Sequence, residues 1–116
     1  MKPRTWAIVP AAGTGKRFGA SIPKQYLMLN GRPVLWHTLS RLHASDLLDQ
    51  IVVVLSPEDT HFSQYDWHLL PKLQALKCGG EERAHSVLHG LQAIQEHAGA
   101  DDWVLVHDAA RPLISA

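Results

Sequence analysis

The sequence has a single cysteine, Cys78, so no disulfide can close within the chain and a cysteine-based zinc site lacks its ligands. Cys78 itself reads as a small apolar residue at a strand end. There is no excess of charge either, because eleven Lys and Arg balance eleven Asp and Glu. No global field therefore draws the protein to nucleic acid or to a membrane, and any anion it binds must be held by a local cluster. No apolar run approaches the ~20 residues of a spanning helix. Residues 6–12 are too short for a secretory apolar segment before Gly13 intervenes. These absences together point to a cytoplasmic protein. Repeats, low-complexity tracts and interdomain linkers are missing as well, and 116 residues leave room for one domain. What is present is a 46% hydrophobic content, which argues against disorder.

Strand-like and helix-like patterns alternate. Trp6-Ala7-Ile8-Val9 predicts a short buried strand ending at Pro10 and a small-residue loop. Residues 33–43 carry Val34, Leu35, Leu39 and Leu42 near helical spacing, with Pro33 suited to the first turn. Residues 50–55 (QIVVVL) are β-branched, continuously apolar and stopped by Ser56-Pro57. That continuity predicts burial on both faces, as in a parallel sheet. Residues 59–64 are a candidate helical turn, and 73–77 a weaker strand before Gly79-Gly80. Residues 81–97 predict a helix with Ala84, Val87, Leu88, Leu91 and Ile94 as its apolar stripe. Residues 102–106 (DWVLV) predict a fourth strand.

This β-α-β-β-α-β rhythm predicts a Rossmann-like α/β fold, an open and mostly parallel sheet flanked by helices with right-handed crossovers. Ligands of such sheets sit beyond the carboxyl ends of the strands. All three Gly- or charge-bearing segments fall there. Residues 111–116 carry no capping element, and the fourth strand would be left as a long apolar edge. The expectation is that residues 1–116 are part of a single α/β domain, truncated, with its remainder outside this chain.

After the first strand comes Pro10-Ala11-Ala12-Gly13-Thr14-Gly15-Lys16-Arg17-Phe18-Gly19, then Ile22-Pro23-Lys24-Gln25. Small residues let the backbone approach a ligand, and successive N–H groups form a concave anion site. Lys16, Arg17 and Lys24 add positive charge to the same loop. Backbone donors with three cations suit a polyphosphate better than a neutral metabolite. The Walker A pattern fails, since Pro10 takes its first glycine position and Arg17 follows Lys16. The dinucleotide fingerprint fails too, because Phe18 stands where its third glycine belongs. An NAD-binding module stays as a rival reading.

The order small-small-Gly-x-Gly-x-Arg-hydrophobic-Gly, then Pro-Lys-x-hydrophobic, resembles the signature of the sugar- and polyol-phosphate nucleotidyltransferase superfamily. The fuller string V-P-A-A-G-T-G-K-R-F-G, P-K-Q-Y-L and G-R-P-V-L-W-H-T-L is similar to the methylerythritol-phosphate cytidylyltransferases. The fold that this implies is nucleotide-diphospho-sugar transferase-like. The reaction it implies is transfer of CMP from CTP to 2-C-methyl-D-erythritol 4-phosphate, a step towards isoprenoid precursors. Pro10, Ala11, Ala12, Gly13, Thr14, Gly15 and Lys16 would then bind the nucleotide, with Arg17 and Lys24 as transition-state stabilisers.

The segment Gly79-Gly80-Glu81-Glu82-Arg83-Ala84-His85-Ser86-Val87 makes a sound helix N-terminus with or without a function. The resemblance implies that it reads cytosine and ribose, through backbone groups of Gly80 and Glu81 and the hydroxyl of Ser86. Arg83 is either part of that site or a structural ion-pair partner. In Val106-His107-Asp108-Ala109-Ala110-Arg111-Pro112, an Asp at a strand end beside a triphosphate is a natural Mg²⁺ ligand. Its bland alternative is a cap of the following turn. The resemblance places Asp108 by the ribose and metal, Ala109 near the nucleotide and Arg111 towards the second substrate's phosphate. Because the likeness covers nearly all of this chain but only about half of a family member, a homodimer would form through a segment outside it. A ribitol-phosphate cytidylyltransferase is the nearest enzymatic rival, but such enzymes carry L-A-G-G and V-R-P-F where this chain has Val9-Pro10-Ala11-Ala12-Gly13 and Ala110-Arg111-Pro112-Leu113. A catalytically incompetent nucleotide-binding fragment is the non-enzymatic one.

Two residue types remain. His85 and His89 stand four apart on the predicted helix, but the Glu of H-E-x-x-H is absent, and surface or packing roles are expected for the histidines. The tryptophans Trp6, Trp36, Trp67 and Trp103 are expected to pack in the core rather than stack on a ligand.

Overall fold

The computed structural model describes residues 3–12, 23–80 and 82–109. In chain order the elements are β1 (Thr5–Ala11), a 3-10 turn at Lys24–Tyr26, β2 (Met28–Leu29), β3 (Arg32–Pro33), α1 (Val34–His43), β4 (Gln50–Leu55), a second 3-10 turn at Phe62–Gln64, β5 (Leu73–Leu76), α2 (Arg83–Gln95) and β6 (Trp103–Val106). Four strands form one parallel sheet in the order β5-β4-β1-β6. The predicted open α/β sheet is therefore the observed one.

Alternation along the two central strands divides the core. Ala7, Val9 and Ala11 of β1 and Ile51, Val53 and Leu55 of β4 turn to one side, where Leu35, Leu39 and Leu42 of α1 meet them. Trp6, Ile8, Val52 and Val54 turn to the other, where Ile94 of α2 covers them. The register sets Ala7 beside Ile51 and Val9 beside Val53, so each layer is continuous across the strand pair. A Val, Leu or Ile buried in this way stabilises the fold by ~1.5–3 kcal/mol. At the amino end of the sheet, Asp102 accepts hydrogen bonds from the Arg4 backbone N–H (2.8 Å) and Trp6 Nε1 (2.9 Å), tying β6 to β1.

Four details depart from the sequence expectations. Pro33 is the residue before α1 rather than its first turn. Its φ of −63° and ψ of 150° are extended, and it pairs with Met28 in β3. The β2–β3 hairpin was not foreseen, although it turns on Asn30-Gly31, both at positive φ (52° and 83°), the pair that a two-residue primed turn favours. On α2, Ala84, Leu88 and Leu91 are exposed, and the face against the sheet is Ser86, Gly90 and Ile94. A Cβ on Gly90 would stand 3.0 Å from Val54 Cγ2 and 3.2 Å from Ile8 Cγ2, so a small residue admits the helix to the sheet.

Last, the tryptophans do not all pack inside. Trp6 is buried, but Trp103 is 71% exposed, because β6 is the edge strand and α2 lies over β1 and β4 instead. Trp36 is half-buried under the Arg32 guanidinium, 3.9 Å from its ring centre, and Trp67 stacks on Phe62 at 4.3 Å.

Candidate functional site

All four strands run the same way, so their carboxyl ends share one side of the sheet, and the predicted site segments follow those ends. Pro10 and Ala11 close β1, and Ala12 follows. Beyond β5, the Gly79 N–H donates to the Leu55 carbonyl at the end of β4 (2.8 Å). A Cβ on Gly79 would overlap that of Ala12 and stand 2.8 Å from the Leu55 oxygen. Glycine is thus required there by close approach, and it brings the second segment against the first.

Gly80 continues towards α2 and donates its N–H to Ser86 Oγ (3.2 Å). Ser86 is 1% exposed, so its hydroxyl acts on the Gly79–Gly80 backbone from beneath. Arg83, in the first turn of α2, reaches across to the third segment and places Nε 3.0 Å from Asp108 Oδ1. The ion-pair role weighed for Arg83 is therefore present. Both partners are substantially exposed, and such a pair contributes only ~0–1 kcal/mol, so its effect is to orient the two side chains. His107 donates its backbone N–H to the Ile8 carbonyl (3.0 Å), which carries the β1–β6 ladder to the edge of the site. Ala109 is buried, with its carbonyl accepting from Thr38 Oγ1 (2.9 Å).

The structure thus brings together Ala12, Gly80, Arg83, Ser86, Asp108 and Ala109 around the ends of β1, β5 and β6. Gly13, Thr14, Gly15, Lys16, Arg17, Glu81 and Arg111 lie outside the described residues. The backbone of Lys24 opens the 3-10 turn at Lys24–Tyr26. His89, weighed as half of a metal pair, shares a hydrogen bond of 2.6 Å between its Nδ1 and the Cys78 carbonyl.

Three residues that the sequence reading gave no role hold this arrangement. Thr38 fastens Ala109 from 71 residues away. Gln25 is 6% exposed and donates Nε2–H to the Ala11 carbonyl (2.9 Å). Asp59 accepts the Tyr26 hydroxyl hydrogen bond at 2.6 Å. Gln25 and Thr38 stand within the P-K-Q-Y-L and G-R-P-V-L-W-H-T-L strings, whereas no such string marks Asp59.

The chain is similar to known proteins in sequence and in fold. The family model of 2-C-methyl-D-erythritol 4-phosphate cytidylyltransferase (IspD) matches residues 5–116. A 2-C-methyl-D-erythritol 4-phosphate cytidylyltransferase of Dechloromonas aromatica is 56% identical over 115 residues, covering 98% of this chain and 50% of the relative. One of Azoarcus sp. is 55% identical over 114 residues, covering 97% and 48%. Among solved structures, a 4-diphosphocytidyl-2C-methyl-D-erythritol synthase superposes with a TM-score of 0.79 at 34% identity, over 96% of this chain and 48% of the other. The chain spans about half the length of the curated relatives it matches.

Proposed function

The chain belongs to the 2-C-methyl-D-erythritol 4-phosphate cytidylyltransferase family, and from that premise we propose that it is the CTP-binding portion of an enzyme transferring CMP from CTP to 2-C-methyl-D-erythritol 4-phosphate. The observation that supports this reading is the close packing of Gly79 on Ala12 beside the Arg83–Asp108 pair, which sets the loop after β1 against the loop before α2; in this reading the first binds the phosphates and the second reads the base. The family match favours methylerythritol phosphate over ribitol phosphate as acceptor.

In the proposed reaction a phosphate oxygen of the acceptor attacks the α-phosphorus of CTP. A new P–O bond forms, and the bond to the bridging oxygen breaks, releasing pyrophosphate. Such chemistry needs alignment and charge neutralisation more than covalent help. Arg17 and Lys24 supply the cations for the developing charge, and Lys16 assists in binding the phosphates. Pro10 to Gly15 line the phosphates with backbone groups. Backbone groups of Gly80 and Glu81 would read the base, with Ser86 bracing Gly80 through its hydrogen bond. Arg111 serves the acceptor's phosphate.

A divalent cation fits one carboxylate at a strand end, because Mg²⁺ keeps several waters and takes the rest of its ligands from substrate phosphates. Asp108 would hold it, with the Arg83 guanidinium sharing the carboxylate. Bound there, Mg²⁺ would neutralise phosphate charge. We read the protein as a cytoplasmic homodimer whose subunit contact and remaining domain lie outside these residues. Among the described residues no helix is long and apolar enough to cross a membrane.

Calorimetric titration tests the reading. CTP with Mg²⁺ is expected to bind the chain, weakly, and NAD not at all. Preference for NAD would overturn it. Turnover by the isolated 116 residues is not expected, since they span about half the length of their relatives.

A further inference from the structure

The 3-10 turn at Lys24–Tyr26 is anchored to the rest of the fold at two points. Its middle residue, Gln25, is buried and holds the Ala11 carbonyl at the end of β1. Its last residue, Tyr26, is 1% exposed and donates its hydroxyl to Asp59 Oδ2 at 2.6 Å. Asp59 is itself fixed, since its other oxygen accepts the backbone N–H groups of His61 (2.9 Å) and Phe62 (2.8 Å), and its own N–H bonds the Ser56 carbonyl just past β4. The Tyr26 ring lies parallel to that of Tyr65, 10° apart in plane, and 5.1 Å from the ring of His61. A three-residue turn has no stability of its own. Here it is bridged between the carboxyl ends of two adjacent strands, with Lys24 at its first position.

We propose that Gln25, Tyr26 and Asp59 are positioning residues that fix the backbone from which Lys24 reaches the reacting phosphate. The inference rests on the role given to Lys24 above. A buried phenol bonded to a carboxylate is a costly pair to maintain for packing alone, because a phenylalanine would fill the same space without a polar atom to satisfy. Burial, and then Asp59, also push the Tyr26 phenol above its ordinary range, so it stays a donor throughout the working pH. Small errors in placing a catalytic cation cost rate more than binding.

The test is a mutant cycle in the complete enzyme carrying these residues, with turnover followed by pyrophosphate release. Lys24→Ala is expected to lower kcat by ~10²–10³. Tyr26→Phe keeps the packing and breaks the link; it is expected to lower kcat roughly tenfold while KM for CTP stays within about twofold. Asp59→Asn, which keeps a polar partner for Tyr26, is expected to retain kcat within about threefold. The double variant Lys24→Ala with Tyr26→Phe should be no slower than Lys24→Ala alone, since Tyr26 acts through Lys24. Unchanged kcat in Tyr26→Phe, or strict additivity in the double variant, would overturn the positioning role while leaving Lys24 in place. Near-normal turnover of Lys24→Ala would instead remove Lys24 from the chemistry and the inference with it.

Discussion

Asp102 collects donors from three directions: the Arg4 backbone, the Trp6 indole and the Gly99 N–H. In that order they hold its carboxyl down at about 2, with the nearby Arg4 charge adding a little more. A carboxylate whose folded pKa is depressed contributes stability that is complete above its unfolded value of ~3.9 and is lost as pH falls through the folded one. Asp102→Asn is therefore expected to lower the melting temperature at neutral pH, with the gap to the parent chain closing between about pH 4 and pH 2. Thermal melts across that range check this, and a gap that stays constant would deny the carboxylate its role. Nothing local in the sequence announces it. Asp102 reads as the first residue of a strand, because its partners Arg4 and Trp6 stand 98 and 96 residues away. Tyr26–Asp59 and Thr38–Ala109 escaped notice for the same reason, whereas the site glycines were legible because backbone approach demands them in place. Gly79 is the example, with Ala12 where its Cβ would go.

The central strands were readable because their apolar runs are continuous and the structure buries them on both faces; every residue of β4 after Gln50 is buried. Helix α2 was readable as a helix but not in its orientation. Periodicity counts large apolar residues, and it chose Leu88 and Leu91, which are exposed, over Ser86 and Gly90, which touch the sheet. Closeness to a flat sheet favours small side chains, and a hydrophobic stripe does not register them. Replacing Gly90 with valine would set branched methyls against Val54 and Ile8, already 3.0 and 3.2 Å from where a Cβ would stand. Gly90→Val is expected to cost ~1–3 kcal/mol in urea unfolding through overpacking. A change below the error of the measurement would mean that α2 shifts freely on the sheet.

The molecule as a whole is asymmetric about β1. On the β4 side both faces are covered; on the other, all four residues of β6 are exposed, Trp103 most of all. Its run of apolar residues predicted a strand left as a long apolar edge, and β6 is that edge; only the core packing expected of Trp103 fails there. An edge of this kind is a template for another strand. The 116-residue chain is expected to associate as its concentration rises, and Trp103→Lys to keep it monomeric, as judged by sedimentation. Equal behaviour of the two would show that the edge is blunted by other means. At the opposite pole of the sheet, the contact of Gly79 with Ala12 carries a thermodynamic consequence. Two loops packed backbone to side chain with no slack cannot be ordered independently, so ligand held by either one lowers the cost of ordering the other. Linkage makes the effect reciprocal. Under the proposed function, the base and the triphosphate of a single nucleotide would meet at this joint as cooperative halves of one binding event.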